Sequence, residues 1–264
     1  MTTRSKGTAL ITGASSGIGA VYADRMAHRG YDLILVARNR ARLNILASRL
    51  TNETKRSVEV LPADLNDKAD LARVEEVLKK DASITLLVNN AGFGAVAPLL
   101  NSNVNKMDEM ISLNVGALTR LTYAVVPGFV TRGAGTIINI SSMVAIAPEV
   151  LNGVYGASKA YVLAFSQSLQ HELAAKGIRI QAVLPGAIAT EFWDLAGNPV
   201  SNFPPDFVMT AEDLVDAALS GLDQGEFATI PALPDKAEWD RFESARRDMS
   251  TRLSRREPAA RYGL

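Results

Sequence analysis

The chain contains no cysteine. That excludes disulfides, thiolate-ligated metal and a thiol nucleophile, and it suits a reducing compartment. Charge of one sign is not in excess either. Lys and Arg total 28, Asp and Glu total 28, and the formal net charge is zero. A whole-chain basic footprint for nucleic acid is therefore missing. The only two histidines, His28 and His171, lie far apart, which argues against a histidine-built metal site. No apolar run approaches the roughly 20 residues of a membrane-spanning helix. The opening MTTRSKG is short and polar, and the apolar run after it breaks at Gly13, unlike a signal peptide. The expectation is a soluble cytoplasmic protein with no nucleic-acid partner, membrane partner or metal. What the chain does have is apolar material. It holds 264 residues, 47% of them hydrophobic, enough for one large core.

Apolar runs of strand length alternate with amphipathic stretches of helix length. The predicted strands are 8–12 (TALIT), 32–37, 57–61, 85–89, 135–141, 178–184 and 227–231. Most are continuously apolar, the pattern of a parallel sheet covered on both faces. Segments such as 41–50 and 70–80 carry apolar residues at spacings of three and four, as helices do. A right-handed βαβ series follows, giving an α/β fold of Rossmann type, doubly wound around a seven-stranded parallel sheet. No linker divides residues 1–264, so one domain is expected, with an extra C-terminal helical segment at about 234–257. There Trp239, Phe242, Met249 and Leu253 fall on one helical face. That face suits packing on the core or on a neighbouring subunit, or a lid near the site. Residues 186–209 lack a clean period and contain Pro199, Pro204 and Pro205, so they read as a long functional or mobile loop.

The first strand breaks into a glycine-serine loop and resumes as a helix. Gly13, Gly17 and Gly19 permit a tight turn and close backbone approach to a pyrophosphate. The helix start offers free N–H groups and a partial positive charge. Ser15, Ser16 and Ile18 complete the candidate phosphate loop. Its spacing is G-x-x-x-G-x-G, and glycine alone can also serve a purely steric turn. The second strand ends Val36-Ala37-Arg38-Asn39-Arg40, with Asp32 at the opposite end. No acid at that carboxyl edge repels a 2′-phosphate, and Arg38 can pair with one. This favours NADP(H), with NAD(H) as the alternative.

Tyr155 and Lys159, in YGASK, share a face at helical spacing. A tyrosine at pKa near 10 needs about 4 kcal/mol of differential stabilisation to approach neutrality. A neighbouring ammonium and an oxidised nicotinamide could supply it jointly. Ser142 ends an apolar strand 13 residues before Tyr155, where its hydroxyl could polarise a carbonyl. Ser141 is the better candidate for a turn cap. Asn114, within an apolar helical run, must find partners: a water leading to Lys159, or neighbouring backbone.

With these residues the chain resembles the short-chain dehydrogenases/reductases. The matching motifs are TGASSGIG (12–19), Asp64-Leu65, NNAG (89–92), Asn114, Ser142, YGASK (155–159) and PGAIAT (185–190), in order and in register. The resemblance implies that Tyr155 is the acid/base and that Lys159 lowers its pKa and binds the nicotinamide ribose. It implies that Ser142 orients substrate and Asn114 supports a proton-relay water. Asp64 and Leu65 would lie at the adenine, and Asn90, Ala91 and Gly92 along the cofactor. Pro185, Gly186, Ile188 and Thr190 would fix the nicotinamide. Basic residues often found in the glycine loop of NADP-binding members are replaced here by Ser15 and Ser16, so the preference rests on Arg38. Phe93, Met143, Val144, Leu151, Phe192, Trp193 and Leu195 would form an apolar pocket for a ketone, aldehyde or secondary alcohol, and Glu149 could meet a polar group or face solvent. The implied assembly is a homodimer or homotetramer through the helices carrying Asn114 and Tyr155. Two other readings stand beside NADP(H)-dependent carbonyl–alcohol interconversion: an NAD-dependent secondary-alcohol dehydrogenase, and a non-catalytic NADP(H)-sensing protein.

Overall fold

A computed structural model describes residues 5–263. The chain order is β1 (Thr8–Thr12), α1 (Gly17–His28), β2 (Asp32–Ala37), α2 (Arg40–Thr54), β3 (Val58–Pro62), α3 (Lys68–Lys80), β4 (Ile84–Asn89) and α4 (Val104–Ile111). Then come α5 (Leu118–Arg132), β5 (Gly135–Ile140), α6 (Gly153–Leu173), β6 (Ile178–Val183), β7 (Ala187–Ile188), α7 (Phe192–Ala196), β8 (Val208–Met209), α8 (Ala211–Asp223), β9 (Ala228–Thr229) and α9 (Lys236–Ser250). Seven strands form one parallel sheet in the order β3-β2-β1-β4-β5-β6-β9. The fold is the Rossmann-type, doubly wound one expected.

The strand residues explain this layout. All five residues of β1 are buried, since helices cover both faces of a central strand. On one face Leu33, Leu35 and Val88 pack with Tyr22 and Met26 of α1 and Leu214 and Val215 of α8. On the other, Leu10, Ile34 and Leu87 pack with Val74 of α3, Leu121 and Phe129 of α5 and Leu169 of α6. The chain leaves β1 toward β2 and β3, then returns to add β4 on β1's other side. That reversal opens a crevice at the carboxyl ends of β1 and β4, where ligands of open α/β sheets bind. Asp32 lies at the far edge, bonded by Ser5 Oγ at 2.7 Å and the Ser57 N–H at 3.0 Å.

Residues 186–209 are not a structureless loop. They hold the two-stranded pair β7–β8, helix α7 and two single turns. Their order comes from aromatic packing that no periodicity displays: Phe192 on Trp193, Trp193 on Phe203 and Phe203 on Phe207, at centroid distances of 5.2, 4.6 and 6.2 Å.

The chain divides into two compact units, one ending at Pro231 and one beginning at Ala232. The second contains α9, capped by Asp235 through the Ala237 N–H, with Trp239 against Phe242 at 5.5 Å. The helix is shorter than the expected 234–257, and Leu253 falls beyond it. Ser250 Oγ and Thr251 Oγ1 donate to the carbonyls of Arg247 and Asp248, and such bonds compete with continued helix.

Candidate active site

A cavity of about 560 Å³ opens at the carboxyl ends of β1, β2, β4, β5 and β6. Its floor is the turn after β1. Gly13 sits at φ +68°, and a Cβ there would lie 2.6 Å from Asn90 Nδ2. That amide donates to Thr12 O at 2.9 Å, so β4 and the glycine loop are latched together. A Cβ on Gly19 would lie 2.3 Å from Gly13 O, so α1 can begin this close to the turn only without a side chain. The helix α1 starts with no side-chain cap and no acid in its first turn. By contrast α2, α3, α6 and α8 are capped by Asn39, Asp67, Asn152 and Thr210. The free N–H groups of α1 thus suit an anion, and the loop fits the pyrophosphate of a dinucleotide. Gly13, Ser15, Ser16, Gly17 and Ile18 line the cavity, and Gly19 stands behind them. Arg38, Asp64 and Leu65 line the same end. Among the described residues no hydrogen bond or ion pair engages the Arg38 side chain, whereas Asp64 Oδ1 accepts from the Asn66 N–H at 3.0 Å.

Toward the other end, Tyr155, Lys159 and Ser142 are each 6 to 7% exposed and face the same space. Lys159 Nζ donates to Ile140 O at 3.0 Å and lies 5.8 Å from the Tyr155 ring centre. Burial pushes the Tyr155 hydroxyl up to about 12, with Ser142 acting in the opposite direction. Burial also lowers the Lys159 ammonium to about 8. In the protein without a nicotinamide, desolvation is the larger influence on Tyr155. Ser142 makes 3.4 Å contacts to Pro185 O and from the Val144 N–H, and its hydroxyl also hydrogen-bonds the Tyr155 side chain.

Residues 7–198 match the family model described as short chain dehydrogenase. The chain belongs to the short-chain dehydrogenase family. It is an oxidoreductase of that family. A short-chain dehydrogenase from Sphingobium yanoikuyae, solved in complex with NADPH, is 49% identical with a TM-score of 0.94, covering 97% of this chain and 100% of its own. The bulky-bulky ketone specific alcohol dehydrogenase from Comamonas testosteroni is 45% identical with a TM-score of 0.90, covering 98% and 99%. An uncharacterized oxidoreductase of Staphylococcus epidermidis is 32% identical over 84% of this chain and 93% of its own.

The remaining motif residues of this dehydrogenase fold fall around the cavity with some changes of role. Asn90, Ala91, Gly92, Pro185, Gly186, Ile188 and Thr190 line it. So do Phe93, Met143, Val144, Leu151, Phe192, Trp193 and Leu195, while Glu149 faces solvent away from it. Asn114 does not line the cavity. It sits in a π-helical turn (Ser112–Ala117), where Oδ1 accepts from the Phe93 N–H at 3.1 Å. Its Nδ2 donates to Phe93 O at 2.9 Å and Ser158 Oγ at 3.1 Å. The side chain thus bonds both the backbone of Phe93 and the Ser158 hydroxyl. The turn cap is Ser142 rather than Ser141, whose hydroxyl donates to Lys159 O at 2.8 Å and ties β5 to α6.

Three positions that shape the site received no individual role from the sequence. Thr12 Oγ1 accepts from the N–H groups of Asn90 and Ala91 and donates to Val88 O, fixing the end of β4. Asn152 Oδ1 accepts from Val154 and Tyr155 N–H, while Nδ2 donates to Ala97 O at 2.6 Å. The signal for it was an asparagine immediately before a helix start. Gly94 is the third: a Cβ there would lie 2.4 Å from Phe192 Cζ, so its bareness admits the Phe192 ring.

Proposed function

We propose that the chain is an NADP(H)-dependent oxidoreductase that interconverts a ketone or aldehyde and the matching alcohol, with Tyr155 as acid/base. The observation that carries this reading is the buried Tyr155–Lys159–Ser142 group in one cavity with the glycine loop and the unpaired Arg38. The uncapped start of α1 suits the pyrophosphate, and Arg38 suits a 2′-phosphate in the absence of an acid at the end of β2. Asp64 and Leu65 flank the adenine, Lys159 the nicotinamide ribose, and Ile188 and Thr190 the nicotinamide. The NADPH complex of the Sphingobium relative and the ketone named for the Comamonas relative support the same cofactor and a bulky ketone.

When bound, the nicotinamide supplies or takes up the hydride. Ser142, hydrogen-bonded to Tyr155, turns its hydroxyl to the carbonyl oxygen. Burial keeps the proton on Tyr155 until that oxygen gains charge, and Tyr155 then donates it. In the oxidative direction Tyr155 must take the alcohol proton as phenolate, which the adjacent Lys159 ammonium favours. Phe93, Met143, Leu151, Phe192 and Trp193 enclose the reacting carbon in apolar surface and exclude water.

The test pairs binding with turnover. In a fluorescence titration NADPH binds much more tightly than NADH. Tyr155→Phe abolishes reduction of a panel of bulky ketones and leaves NADPH affinity within about twofold. Turnover that survives in Tyr155→Phe removes the acid/base role, and equal or tighter NADH binding removes the cofactor assignment.

A further inference from the structure

An ion pair crosses the rim of this same cavity. Arg42, in the first turn of α2, forks onto Glu191, the residue immediately before α7. The Nη1 group lies 2.7 Å from Oε2, and Nη2 lies 3.0 Å from Oε1. Both residues line the cavity, and their side chains are 48% and 56% exposed. On one side stands the unpaired Arg38. On the other stand Thr190, packed against Gly17, and Phe192, whose ring lies 5.7 Å from that of Tyr155. The pair therefore joins the helix after β2 to the segment that supplies the substrate wall.

We propose that this ion pair couples the phosphate end of the cavity to the substrate wall, with Glu191 holding Arg42 until a phosphomonoester arrives beside Arg38. Arg42 then turns onto the phosphate, and Glu191 and the segment behind it are released. The inference rests on the NADP(H) reading above. The chemistry favours the exchange. A guanidinium fork fits two carboxylate oxygens or two phosphate oxygens, and a phosphomonoester carries about −1.5 to −2 against −1 for Glu191. The existing pair is exposed to water and salt, which screen it and leave it open to exchange. The backbone at Arg42 is pinned, because its N–H bonds the capping Asn39 Oδ1 at 3.0 Å, while its side chain remains long enough to swing. Glu191 lies between Thr190 and Phe192 in sequence, and its carboxylate makes no capping bond to α7, so the Arg42 fork is the tie that its release removes.

Competition and simple strapping make opposite predictions. If phosphate competes with Glu191 for Arg42, the two partners act in opposite directions. If the pair only straps the cavity shut, losing either partner weakens every nucleotide alike. The experiment titrates the full chain calorimetrically with adenosine 2′,5′-bisphosphate and with 5′-AMP, using wild type, Arg38→Gln, Arg42→Gln and Glu191→Gln. The expected result is that Arg42→Gln weakens the bisphosphate about tenfold and Glu191→Gln strengthens it about threefold, with 5′-AMP little changed. In a Trp239→Phe background, Trp193 fluorescence shifts on adding the bisphosphate, and Glu191→Gln shows the shifted signal beforehand. A wild type that binds both ligands alike overturns the NADP(H) reading itself. A wild type that prefers the bisphosphate, loses that preference in Arg38→Gln, and responds to Arg42→Gln and Glu191→Gln in the same direction or not at all overturns this inference alone. An unmoved Trp193 signal overturns the coupling.

Discussion

Tyr155 and Lys159 are a pair whose ionisation the protein alone drives away from the usual values, and the direction matters for what the site can do. The Tyr155 hydroxyl is raised to about 12, so at neutral pH it carries its proton and is poised as an acid. Lys159 is lowered to about 8, so its charge weakens as pH rises past that point. On the proposed reading, carbonyl reduction proceeds from the protonated tyrosine and stays flat or declines between about pH 6 and about pH 9. Alcohol oxidation needs the phenolate and climbs over the same interval. Profiles of kcat in both directions check this, and a reduction rate rising with pH would contradict it. The residue types at this site were legible because the chemistry requires them: a phenol and an ammonium four apart, a hydroxyl at a strand end, glycines at a turn. Their ionisation was not, because desolvation depends on what encloses them. Nor was the Arg42–Glu191 pair, since its members are 149 positions apart and each alone reads as a solvated charge.

Elements rather than single residues decide how well that group is aimed. The helix α6 carries Tyr155 and Lys159 in its first two turns, and Asn152 both caps it and holds the carbonyl of Ala97. Removing the side chain in Asn152→Ala costs about 1 kcal/mol, typical of a lost cap, and lowers Tm by about 2–4 °C. It also leaves Ala97 O unpaired and the 93–98 stretch untied from the helix start. Asn152→Asp retains the cap acceptor but not the donor, so it is expected to recover most of the Tm while kcat stays reduced. Full recovery of kcat in Asn152→Asp would show that only the cap matters. The seven strands of the main sheet were readable to within two residues, because a covered parallel sheet demands unbroken apolar runs. The π-turn at Asn114 and the aromatic order of 186–209 were hidden. A π-turn differs from α-helix by one hydrogen-bond register, and stacked rings leave no repeat in sequence.

For the whole molecule, the same helix that aims the site inward presents a different surface outward. On α5 and α6, Tyr123, Phe165 and Tyr161 form a row of rings, stacked at 6.5 and 5.7 Å between centres. Tyr123 is 70% exposed. The sequence resemblance pointed to assembly through the helices carrying Asn114 and Tyr155, and this aromatic row would supply an apolar anchor for it. Aromatic side chains at the centre of a patch dominate the energetics of an interface. A stable interface covers about 800 Å² on each partner, enough to take in both helices. A symmetric contact would place the two copies of α6 against each other, because a two-fold axis pairs the same patch with itself. Light scattering is therefore expected to give a mass near twice the 28.3 kDa of one chain, and the double variant Tyr123→Glu, Tyr161→Glu is expected to fall to a monomer. Because Tyr161 lies only two residues past Lys159 on α6, the loss of assembly should also reduce kcat for the carbonyl substrate while nucleotide affinity holds. A wild-type chain that scatters as a monomer at micromolar concentration would leave the ring row as ordinary surface and remove the structural link between assembly and the aim of Tyr155.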